Sequence, residues 1–176
     1  MNNETKEYGT PNISSTDTNA GANVDANDDV ISTLNNLIET CKDGEQGFKE
    51  AAEGVERSDL KSTFYEFSQQ RSQFAGVLQG LVRNLGGDPE AAGSFSGAVH
   101  RGWINIKAAV TGKDEGSILN EAERGEDYAK EAYEEALKKS LPANVEDVIR
   151  QQSQAVQAAH NRVRDLRNAE SRAASS

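Results

Sequence analysis

Four apolar seams at helical spacing run through this 176-residue chain, and they restrict it to an all-α fold. The first is Val30, Leu34, Leu37, Cys41, Phe48 and Val55, whose steps keep the side chains on one helix face. The second runs through Leu60, Phe64, Phe67, Phe74, Leu78, Leu81 and Leu85, and the third through Ile118, Ala122, Ala129, Tyr133 and Leu137. Val145, Ile149, Val156, Ala159, Val163 and Leu166 form the fourth. Near their middles, polar or acidic residues stand where a plain core would place leucine: Gly44 and Glu45 in the first seam, Glu123 and Glu126 in the third. A carboxylate facing a helix-packed core must be paired, hydrogen-bonded, neutralised or metal-bound, because an unpaired buried charge costs several kcal/mol or more.

The length suits one domain with a sizeable core plus a tail. A net charge of -10 and a pI near 4.7 repel nucleic-acid phosphate and anionic membrane surfaces, so neither nucleic acid nor membrane is an expected partner. The single cysteine, Cys41, permits no internal disulfide, and its seam position makes it a small buried hydrophobe. No apolar run approaches the roughly 20 residues that span a bilayer, and the N-terminus lacks a basic-then-apolar signal pattern. The expected address is the cytoplasm.

Residues 1–27 are rich in Asn, Thr, Ser, Gly and Asp, and read as a disordered tail with Asn27 or Asp28 capping the first helix. The spacing predicts helices over about 28–57, 59–85, 114–140 and 142–168, with a bundle of 28–170 and a frayed end at 171–176. Ser58-Asp59 supplies a tight turn with capping chemistry, Gly86-Gly87 a left-handed helix end, and Pro142 a helix start. Between the second and third helices, residues 88–112 form a crossover with Phe95, Val99, Trp103, Ile106 and Val110 at roughly i+4 steps, Phe95 and Trp103 covering one side of the bundle. Short, long, short connections let helices two and three run the same way. That is the ferritin-like arrangement of a four-helix bundle, with simple up-down-up-down topology as the alternative.

Distances from the two tight turns show which polar residues share a level. Glu45 lies level with Gln73, and Gln70 is one turn away. Glu126 falls opposite Gln157, and Glu123 opposite His160. Gln157 and His160, three apart, occupy the places where di-iron carboxylate bundles put Glu-x-x-His, with glutamine replacing glutamate. Glu45, Glu123, Glu126 and His160 are the candidate metal ligands, a set suited to zinc, manganese or iron. The competing arrangement is a hydrogen-bonded polar core layer of Gln70, Arg71, Gln73 and Gln157, with Arg71 paired to one of the glutamates. His100 in the crossover reads as structural. Tyr128 and Tyr133 read as core residues whose hydroxyls reach a carboxylate. Gly44, Gly47, Gly54, Gly76, Gly80 and Gly125 lie inside helices and read as small packing sites. No nucleophilic triad, Gly-rich phosphate loop, Cys-x-x-Cys or dinucleotide fingerprint is present.

Asp43-Gly44 with Gly47-Phe48 and Ala51-Ala52, Gln70-Arg71 with Phe74 and Leu78, His100-Arg101-Gly102-Trp103, Glu123-Arg124-Gly125-Glu126, and Ala159-His160 with Val163 and Leu166 form a combination over roughly Val30 to Leu166. It resembles a bacterial family of unknown function described as ferritin-like four-helix-bundle proteins. The resemblance implies that fold and no established activity. Rubrerythrins, more distant ferritin-like proteins, bind two irons; Glu45, Glu123, Glu126 and His160 match their ligand types, whereas Gln70, Gln73 and Gln157 depart from them. The expectation is a non-catalytic, stress-associated binding or interaction protein, as a homodimer or with a protein partner. The alternative is iron or manganese storage, or peroxide handling, at the reduced carboxylate/histidine site.

Overall fold

The computed structural model describes residues 17–89 and 101–176, with side chains from residue 21 onward. Among the described residues the chain is all-α, with α1 at Asp17–Gly54, α2 at Ser58–Asn84, α3 at Ile106–Thr111, α4 at Glu115–Leu137 and α5 at Ala143–Ala174. Short turns fold α1 on α2 and α4 on α5. Side-chain pairings give the remaining directions. Cys41 meets Tyr133, Lys139 donates to Thr33 (3.2 Å), and the Glu115 carboxylate accepts from the backbone N–H groups of Glu56 and Arg57 (both 3.1 Å). Numbers rising along α1 thus accompany numbers falling along α4, and the two helices are antiparallel. Arg57 with Glu170 (3.1 Å) and Phe74 with Gln152 (3.4 Å) make α2 and α5 antiparallel in the same way. It follows that α2 and α4 run in the same direction.

The helix ends follow local chemistry, with three departures from expectation. The first is that α1 begins at Asp17 rather than near Asp28. Ala20, Ala22 and Ala26 are good helix formers, and extending an existing helix adds one hydrogen bond per residue ordered without a new nucleation cost. Residues 21–29 are exposed, so this first part of α1 leaves the packed body. The second departure is that Ser58-Asp59 makes no side-chain cap; Arg57 is the N-cap residue, and its guanidinium pairs with Asp59. The third is that α5 continues to Ala174 instead of fraying after Asn168. Elsewhere the turn chemistry acts as expected. Asp114 caps α4 by accepting from the Ser117 N–H (3.3 Å). Gly86 ends α2 at φ 79°, with its N–H on the Arg83 carbonyl and the Gly87 N–H on the Val82 carbonyl, the paired bonds of a Schellman motif.

The crossover is held at three points. The Arg101 N–H donates to Asp43, and its guanidinium reaches Asn36 (2.8 Å) and Glu39 (2.9 Å) on α1. The Asn105 N–H donates to Glu121 on α4 (2.8 Å). Between them the Trp103 indole is buried in a slot made by two glycines. A Cβ at Gly47 or at Gly125 would overlap the ring. Phe48 meets the indole edge-on at 4.8 Å. Two of the helix-interior glycines are thus packing sites for the only tryptophan of the chain. Phe95, Val99 and His100 lie outside the described residues.

Candidate functional site

Two apolar clusters fill the core. One contains Leu34, Cys41, Leu78, Tyr133 and Ile149; the other contains Phe48, Phe64, Trp103, Ile118 and Val163. Each long helix passes from one cluster to the other through a polar step, at Gly44, Ser68 and Arg71, Glu126, and His160 in turn. At the centre of this level Arg71 of α2 and Glu126 of α4 form a bidentate ion pair. Nη1 donates to Oε1 at 2.7 Å and Nη2 to Oε2 at 2.8 Å. Their side chains are 1% and 0% exposed, so solvent supplies neither with a counter-charge. The fork geometry satisfies both carboxylate oxygens at once, which makes such a pair tolerable inside a protein. Gly44 leaves room for the Arg71 stem, since a Cβ there would lie 3.3 Å from its Cγ. The guanidinium carbon also stands 5.5 Å from the Phe48 ring centroid. Burial opposes the Arg71 charge, but the Glu126 carboxylate outweighs it and holds the pKa above the ordinary arginine value.

One level away, toward the N-terminal half of α1, a second network joins all four long helices. Tyr133 donates its hydroxyl to Gln152 Oε1 (2.7 Å), and the Gln152 amide donates to the Phe74 carbonyl (3.4 Å). With the phenolic proton so engaged, the Cys41 thiol donates to the Tyr133 oxygen at 3.1 Å. Burial raises the Cys41 pKa from 9.0 to about 11, and likewise pushes Tyr133 well above its ordinary value. The thiol is therefore an inert, neutral donor at physiological pH. The Tyr133 hydroxyl reaches a carboxamide rather than a carboxylate, while Tyr128 is half-buried.

The four candidate metal ligands have separate surroundings. Glu126 is taken up by Arg71. Glu123 pairs with Arg167 (2.8 Å), and His160 Nε2 lies 2.7 Å from Asp127. Glu45 is half-buried and supplies its backbone carbonyl to the Ser68 hydroxyl (2.8 Å). Among the described residues no group of three His, Cys, Asp or Glu side chains is placed to hold a metal ion. A di-iron or single-metal centre also fits the chemistry poorly, because the cationic guanidinium of Arg71 fills the place beside Glu126 that a metal cation would need. Counting from the α4–α5 turn set Glu123 opposite His160. The observed pairs are Glu123 with Arg167, two helical turns beyond His160, and Asp127 with His160, one turn along α4 from Glu123.

The expected polar core layer is redistributed. Arg71 alone of its four members is fully buried. Gln73 is exposed: two residues beyond Arg71 it is rotated by roughly 200°, and distance from a turn measures height but not azimuth. Gln70 and Gln157 are half-buried, the latter donating to Asn161 (3.0 Å). Sequence reasoning missed Asp127 as the histidine partner and Gln152 as the tyrosine acceptor. Gln152 sits one helical turn before Val156 of the fourth seam, a polar residue at core spacing that could have marked it.

A family model described as Domain of unknown function (DUF2383) matches residues 29–139. The chain belongs to this family. The match runs from the buried part of α1 to just beyond the end of α4, and so includes the Arg71–Glu126 pair, the glycine slot and Trp103, but not His160 or Gln152. No curated protein matches the chain.

Proposed function

We propose that the chain is a non-catalytic, ferritin-like four-helix bundle that acts through its outer surfaces as a binding or interaction protein. The antiparallel partners α1/α2, α4/α5, α1/α4 and α2/α5, with α2 and α4 running together, support the ferritin-like description. The observation that carries the functional reading is the Arg71–Glu126 pair. It occupies the mid-height level where ferritin-like enzymes gather metal-binding carboxylates, and it is charge-balanced and closed to solvent. Glu123 and His160 are engaged elsewhere, which leaves no convergent donor set for iron or manganese chemistry among the described residues. Aerobic addition of ferrous iron to the purified protein tests the reading. Oxidation no faster than in buffer is the expected result, and oxidation with turnover overturns it.

A further inference from the structure

The outward face of α2 differs from the rest of the surface. From Phe67 to Val82 its only charged residue is the buried Arg71, so the outer face over this stretch carries no charge in a chain that is 27% charged. The face presents Gln69, Gln73, Gly76 and Gly80 along its middle, with Val77 50% exposed beside them; Phe67, Phe74 and Leu81 are partly buried against the core at its edge. A Cβ added at Gly76 or Gly80 meets nothing within 4 Å, so these glycines serve no packing need among the described residues. Each nevertheless weakens its helix by about 1 kcal/mol relative to alanine. Glu66 and Arg83, of opposite sign, flank the face at its two ends, and neither takes part in an ion pair among the described residues.

We infer that this face binds a second copy of the chain, α2 against α2 in antiparallel register. A two-fold axis midway between Phe74 and Ala75 places Arg83 of each copy level with Glu66 of the other, and within one residue of the level of Tyr65, which is 43% exposed. Both unpaired charges are then matched, and the guanidinium gains an aromatic neighbour. The same axis sets Gly76 opposite Gln73 and Gly80 opposite Gln69, so each glutamine has a glycine to pack into and the helices can approach closely. This symmetry is what selects a second copy: an isologous contact requires a face complementary to itself under reversal, and the pattern from Glu66 to Arg83 has that property. The inference rests on the interaction reading above and specifies its partner.

Sedimentation equilibrium of the full chain, with Gly80→Glu and with the exchange Glu66→Arg/Arg83→Glu, tests it. The parent should run at twice the 19.0 kDa chain mass. Gly80→Glu, which has open space for its side chain, should weaken association at least tenfold while leaving the helical circular-dichroism signal and melting intact. Glu66→Arg alone should weaken association, and the double exchange should restore it. A monomeric parent, or a dimer indifferent to Gly80→Glu, overturns the pairing. Neither result bears on the ferrous oxidation test, whose failure would overturn the interaction reading alone.

Discussion

At the scale of single residues the molecule turns on how its buried charges and polar groups are satisfied. Removing one partner of the Arg71–Glu126 pair leaves the other ionised in a dry core. Arg71→Met should therefore cost about 3–5 kcal/mol in denaturant unfolding, and Glu126→Leu a comparable amount. The double variant should recover most of that loss, since two apolar side chains need no counter-charge there. If each single variant lost less than about 1 kcal/mol, the pair would not carry the weight assigned to it. Cys41 gives a pH prediction. Its pKa is about 11 in the folded protein against an ordinary 9.0, so between those values the unfolded chain has released the proton while the native state retains it. Stability is then fully present below pH 9 and falls as pH rises toward 11, by roughly 3 kcal/mol at most from this group. Tyr133 adds to the fall in the same direction. Replacing Cys41 with Ala should flatten the slope of melting temperature against pH above 9; an unchanged slope would count against the assignment.

At the scale of elements, the sequence was most legible where one face is buried. The seams marked all four long helices because apolar side chains must recur every three or four residues to reach one core. It was least legible where burial exerts no constraint. The exposed turns of α1 before Val30 carry no seam, and only the alanine content there hinted at helix. Hydrogen exchange should show this difference: amides of residues 21–29 should exchange much faster than those of 34–52, and equal protection would mean that the exposed part of α1 is packed against something. The crossover offers the second test. Trp103 lies between Gly47 and Gly125, where no side chain has room. Gly47→Ala, although favoured by helix propensity, should destabilise by about 1–3 kcal/mol through overpacking. Trp103 is the only tryptophan, so its fluorescence should shift to the red as the indole leaves the slot. A blue-buried, unshifted spectrum with full stability would show that the ring does not depend on these glycines.

At the scale of the whole molecule, two antiparallel hairpins close on a core divided by a polar level, and the seam interruptions lie at that level. What the sequence withheld was azimuth and register. Counting from a turn placed Gln73 at the right height and on the wrong face, and placed Glu123 about two turns from its actual partner. Pairwise contacts across helices depend on both quantities together, which is why Arg71 and Glu126 were separately conspicuous while Asp127 and Gln152 were not. The central claim is that this level is a closed ion-pair core and not a metal centre. The most direct test is metal content and metal-dependent melting of the purified protein with iron and manganese, beside His160→Ala and Glu126→Gln. The account predicts substoichiometric metal and no gain in melting temperature for the parent. Stoichiometric metal with a gain lost in both variants would contradict it.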